Sequence, residues 1–142
     1  MSGILVRELV RRARSYLRSA RLRIEWGDYD LACLDVEQAL QLYLKAVLIE
    51  LFGIETRVHG VLEHLAILRR ELANAGFSEL ASMLSDVTRE NRDIIDLLDD
   101  SYIGARYTVD INYTVEHARR ALDFAEKLIK ILDEITFKVK EV

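Results

Sequence analysis

The sequence has no proline, one cysteine, one tryptophan and only six glycines among its 142 residues. Without proline, nothing in the chain forces a break in a helix interior, so long helices can run uninterrupted. The lone Cys33 cannot form an internal disulfide or a cysteine metal cluster, and nothing points to an oxidising compartment. No window approaches the roughly 18 to 20 apolar residues that span a bilayer. The segment MSGILVRELVRRARSYLR carries arginine every few residues and lacks the apolar run of a secretory signal. The expectation is a soluble, cytoplasmic protein with no membrane association. Net charge is only −4, which disfavours general polyanion binding. What the chain does have is 51% hydrophobic and 31% charged residues, a balance that excludes disorder as a description of the whole. Its length predicts a single domain over residues 1–142.

Apolar spacing predicts about five helices. The first runs from Ile4 to Trp26 through Leu5, Leu9, Ala13, Tyr16, Ala20 and Ile24. Gly27 and Asp28 end it, and Asp28 is a suitable N-cap for a second helix, Tyr29 to Phe52. That helix is apolar nearly all round, so it belongs at the centre of a bundle, and Gly53 stops it. A third helix is predicted over Val58–Ala75 and a fourth over Ser78–Asp99. An irregular link from Asp100 to Asn112 and a last helix over Tyr113–Lys138 complete the chain. Short connections between long helices make antiparallel neighbours. The expected architecture is therefore all-α, an up-and-down antiparallel bundle with a four-helix core plus a short extra helix or link.

Charge is unevenly placed. Arg7, Arg11, Arg14, Arg18 and Arg21 share one stripe of the first helix, and Asp86, Glu90, Asp93, Asp96 and Asp100 share one side of the fourth. The arginines could hold phosphates of a nucleic acid or nucleotide. Equally, the two stripes could be solvated faces or an ion-pair seam within or between subunits. A narrower polar line, Asp30, Glu37, Gln38, Gln41 and Lys45, crosses the central helix. Such groups are either satisfied by one another or aimed at a cleft, and a partly buried Lys45 would call for Glu37 or Glu50. His59 and His64 lie five apart, not the four that places two ligands on one helix face, so no metal site is expected. Serine-hydrolase, P-loop and dinucleotide signatures are all missing, and no cofactor is implied. In the link Ser101-Tyr102-Ile103-Gly104-Ala105-Arg106-Tyr107, an arginine flanked by tyrosines could receive an anion under covering rings. Alternatively, Arg106 caps a helix and the tyrosines close the bundle end.

The stretches GDYDLACLDVEQALQLYLKAVLIELFG, HGVLEHL, SYIGARY and HARRALDFAEKLIKIL together resemble the HEPN domain, a nucleotide-binding domain of higher eukaryotes and prokaryotes. Most specific are Gly27-Asp28-Tyr29-Asp30-x-Ala32, Gln38-Ala39 and Leu44-Lys45-Ala46. His59 matches a histidine often found after the second helix, and Arg106-Tyr107 matches an Arg-Tyr before the last. The resemblance implies a helical bundle that forms a homodimer. It also implies a partner, since many small prokaryotic members are encoded beside a minimal nucleotidyltransferase, in toxin–antitoxin pairs or as a substrate-binding subunit. One branch consists of metal-independent ribonucleases in which an arginine is followed a few residues later by a histidine. Here Ile111, Asn112 and Tyr113 occupy those places and His117 lies further on. Asn112 cannot act as a base near neutral pH. The expectation is a non-catalytic nucleotide- or nucleotide-substrate-binding subunit, its site lined by Arg106, Tyr107, Tyr102, Lys45, Asp30 and His59. The alternatives are a ribonuclease using Arg106 with His117 or Asn112, and a helical interaction module without ligand.

Overall fold

The computed structural model describes residues 2–109 and 112–141. The fold is an all-helical up-and-down bundle, and its helices are α1 (Ser2–Trp26), α2 (Tyr29–Phe52), α3 (Val61–Asn74), α4 (Ser78–Glu90), α5 (Arg92–Tyr107) and α6 (Val115–Lys140). α2 is central, as its all-round apolarity predicts, and packs against α1, α3, α5 and α6. Leu40, Leu44 and Leu48 of α2 meet Leu17 of α1, Leu68 of α3, Leu84 of α4, Leu98 of α5 and Leu128 and Leu132 of α6 in one buried cluster. Each such leucine contributes roughly 2–3 kcal/mol through burial.

Helix ends follow local chemistry. α2 stops at Gly53, whose φ of 67° no β-carbon favours; its N–H donates to Ile49 O at 2.9 Å and that of Ile54 to Leu48 O at 3.2 Å. At the other end, Asp28 holds the N-cap position but its side chain makes no cap hydrogen bond. Asp30 Oδ1 instead accepts from the Leu31 N–H at 2.8 Å. α3 begins at Val61, not Val58, because its first donors are bound from another helix. Asp99 of α5 accepts from the N–H groups of Val61 at 2.7 Å and Leu62 at 3.1 Å, over Gly60.

The expected fourth helix is two. The chain turns at Asn91, where φ is −119° and ψ 21°, and the Asn91 amide donates to Val87 O at 2.9 Å. The segment from Asp100 to Tyr107, expected to be irregular, is the second half of α5. The apolar and small positions Ile94, Ile95, Leu98, Ser101 and Gly104 continue one buried face at helical spacing. Serine and glycine hid this periodicity, because a count of large apolar residues ends at Leu98. α6 is N-capped by Thr114, whose hydroxyl accepts from the His117 N–H at 3.1 Å while His117 Nδ1 accepts from the Thr114 N–H at 3.2 Å.

Candidate functional site

The C-terminal part of α5 carries Tyr102, Arg106 and Tyr107. The four-residue spacing lets Arg106 fold back, and its Nε donates to Tyr102 O at 2.8 Å, one turn earlier in the same helix. The guanidinium carbon lies 4.5 Å from the centre of the Tyr102 ring and 5.0 Å from that of Tyr107. His59, in the segment before α3, stacks on Tyr102 with ring centres 5.8 Å apart and planes at 25°. The two cation–ring contacts, worth about 0.5–1 kcal/mol each at an exposed site, order the side chain. The terminal nitrogens of Arg106 make no hydrogen bond or ion pair among the described residues. Arg106 is thus tied to its own helix through Nε alone, with no partner for its terminal donors among the described residues. Tyr107, 71% exposed, does not close the bundle end.

Four of the six predicted lining residues therefore come together: His59, Tyr102, Arg106 and Tyr107. The other two do not join them through any hydrogen bond or ion pair among the described residues. Asp30 binds the start of its own helix. Lys45 is half-buried beside His64, and its charge helps hold that imidazole below its ordinary pKa. Neither acid expected to pair with Lys45 does so. Glu50 pairs with Lys140, and Glu37 is bound by amides.

Glu37 belongs to a closed polar cluster at the start of α3. The fully buried carboxyl accepts from Gln41 Nε2 at 3.0 and 2.8 Å and from Gln38 Nε2 at 2.9 Å. Burial, with the Asp99 carboxylate beside it, pushes its pKa up to about 7. His64 Nδ1 lies 2.7 Å from Gly60 O and Nε2 lies 2.6 Å from Thr56 Oγ1. A carbonyl only accepts, so Nδ1 carries the proton and neutral Nε2 accepts from the threonine. Burial keeps this histidine neutral. Asp99 organises the cluster and was missed in the sequence, where it is one of several aspartates near the end of a helix; nothing local marks it as the cap of another helix.

The residues of the ribonuclease alternative are dispersed in role. Asn112 is exposed and shares no hydrogen bond with Arg106. His117 Nδ1 is engaged in capping α6. Asp110 and Ile111 lie outside the described residues. No group of three or more His, Cys, Asp or Glu among the described residues could hold a metal ion, and no described helix is long and apolar enough to cross a membrane.

Among the described residues no ion pair joins the two charged stripes. α1 packs on α2 and, less extensively, on α6. The acidic residues pair elsewhere: Asp86 with Arg89, Asp96 with Arg92, and Asp93 with Arg120 of α6. On α1, Arg11 pairs with Glu8, Arg21 with Glu126 of α6, and Arg14 stands 6.0 Å from the Tyr43 ring centre.

Comparison with known proteins gives two findings. A family model described as the HEPN domain matches residues 6–135. The crystal structure of TT1696 from Thermus thermophilus is similar, with a TM-score of 0.69 and 27% sequence identity over 91% of this chain and 96% of that one. No curated protein matches the chain.

Proposed function

The chain belongs to the HEPN domain family, and from that premise we propose that it binds a nucleotide or nucleotide-bearing substrate at the end of α5 without itself catalysing a reaction. The observation that carries this reading is Arg106, a cation held between two tyrosine rings with its terminal donors unpaired among the described residues. A phosphate suits those donors in a bidentate fork, and exposed rings beside it suit a base. We further propose a homodimer that serves a separate minimal nucleotidyltransferase and presents the substrate to it, in the cytoplasm and without a cofactor or metal of its own.

The ribonuclease reading needs a proton acceptor near Arg106. What weighs against it is the capping role of His117 Nδ1 and the chemistry of Asn112, whose amide does not titrate. Arg106 alone can stabilise developing charge but cannot remove a proton.

Calorimetric titration with nucleoside mono-, di- and triphosphates tests the proposal. Arg106→Ala should weaken binding at least tenfold, about 1.4 kcal/mol or more. Unchanged affinity removes Arg106 from the site. Incubation with labelled RNA in EDTA tests the alternative: cleavage that persists in EDTA and is lost in Arg106→Ala or His117→Ala makes the protein a ribonuclease.

A further inference from the structure

A second place on the molecule has donors to spare, and it lies on a different helix. A cleft of about 300 Å³ opens along α1, lined by Arg11, Arg12, Ser15, Tyr16, Ser19 and Arg23 and by Asp35 of α2. Asp35 is only 7% exposed, and one of its oxygens accepts from Ser19 Oγ at 2.6 Å and from Arg23 Nε at 2.9 Å. Held through Nε, Arg23 keeps both terminal amino groups without a partner among the described residues, and Arg12 and Ser15 make no hydrogen bond there either. The cleft therefore offers two guanidinium groups and a hydroxyl, while one oxygen of its carboxylate, Oδ2, already accepts two hydrogen bonds. Arg11 is paired with Glu8, Arg21 with Glu126, and Arg23 with Asp35 through Nε alone, while Arg12 makes no ion pair among the described residues. In α1 only Glu8 and Glu25 oppose its arginines, although the whole chain is net negative.

We infer that this α1 cleft is a phosphate-binding site, separate from Arg106, in which Arg12 and Arg23 grip the phosphate oxygens and Ser15 adds a hydroxyl donor. Donors in excess of acceptors, in a concave site, select an oxyanion. The planar fork of arginine selects a tetrahedral, multiply oxygenated one. The volume, at the low end for ligand sites, takes a phosphate with its neighbouring sugar and little more. Asp35 and Ser19 act as positioning residues: they fix Arg23 before the ligand arrives, so less side-chain entropy is lost on binding. The sequence carried a trace of this in Arg12, Ser15, Ser19 and Arg23, which share one face at three- and four-residue spacing.

The phosphate could belong to an RNA backbone or to a small phosphorylated molecule, and two probes separate them. A fluorescein-labelled oligouridylate is titrated by anisotropy, and pyrophosphate by calorimetry, both at low salt. The expected result is that at least one probe binds and that Arg12→Ala and Arg23→Ala each weaken it tenfold or more, while Arg120→Ala changes it less than twofold. If the polymer is the ligand, each loss also lowers the salt slope by about one. Arg12 makes no hydrogen bond or ion pair among the described residues, the Glu8 carboxylate one turn away being bonded to Arg11, so its variant keeps the fold even if Arg23→Ala does not. Polymer binding alone assigns the site to a nucleic-acid backbone; pyrophosphate binding that depends on Arg12 assigns it to a small phosphate. The inference fails if neither probe binds, or if Arg12→Ala and Arg120→Ala weaken binding equally, since net charge alone would then be responsible.

Discussion

The cluster around Glu37 and Asp99 and the last turn of α5 use similar residue types to opposite ends. In the first, every donor meets an acceptor inside the protein: two glutamine amides on Glu37, two backbone N–H groups on Asp99, a carbonyl and a hydroxyl on His64. In the second, Arg106 spends one nitrogen on the backbone and keeps the others. A buried polar group without a partner is costly, so interior polarity closes on itself and holds helices in place. At the surface water tolerates leftover donors, and leftovers are what a ligand can use. A polar line in a central helix is thus weaker grounds for a binding site than an arginine at a helix end.

The sharpest way to break this comparison is to remove Asp99. Asp99→Ala takes the cap from α3 and leaves Val61 and Leu62 N–H groups and the Glu37 carboxyl without their neighbour. A loss of about 3 kcal/mol in urea unfolding is expected. A loss under about 0.5 kcal/mol, the range of an ordinary surface change, would mean the cluster does not hold α3.

Next in size is the titration of Glu37. Its folded pKa of about 7 lies above the ordinary 4.5, so the folded state binds the proton more tightly than the unfolded one. The stabilisation this gives is complete below about pH 4.5, is lost as pH rises through 7, and changes no further above that. Glu37→Gln removes the titration. Its amide oxygen can still accept from Gln41 and its amide nitrogen can donate to Asp99. At pH 8 the variant should be more stable than the parent by about 3 kcal/mol, and at pH 4 the two should converge. Parallel stability curves from pH 4 to 8 would show that Glu37 ionises normally.

A smaller effect, and of the opposite kind, is expected at Arg106. Its replacement by alanine should leave unfolding within about 0.5 kcal/mol of the parent while nucleotide affinity falls about tenfold. An Arg106→Ala protein that unfolds like Asp99→Ala would place this arginine among the closed, structural groups.

The fold was legible in the sequence wherever large apolar residues mark a helix face, as in α2 and α6, and the bundle followed from short connections. Legibility failed at Asn91 and beyond Leu98. An isolated asparagine does not announce a turn within a periodic run, and Ser101 and Gly104 bury a helix face without looking apolar. Arg106 and its two tyrosines could be picked out because they are neighbours in the chain. Lys45 and Asp30 were grouped with them although helical geometry alone cannot say which neighbour a side chain will face. Asp99, Thr56 and His64 meet only through the tertiary fold, so no local pattern could show it.

Tyr113 tests the boundary between the two kinds of region, and with the smallest change. Its hydroxyl is buried and meets no acceptor of the protein among the described residues. Burial and the nearby Cys33, Asp100 and Asp30 push its pKa up to about 12, so the group stays a neutral donor at any working pH. If interior polarity must close on itself, this hydroxyl is an exception that costs stability, and losing it should cost nothing. Tyr113→Phe keeps the ring against the core and removes only the oxygen, so the variant should match the parent or exceed it by up to about 1 kcal/mol. Thermal unfolding of the two proteins at pH 7 decides it. A variant less stable by more than about 1 kcal/mol would show that the hydroxyl is bonded in the folded protein, and would move the start of α6 into the closed class with Glu37 and Asp99.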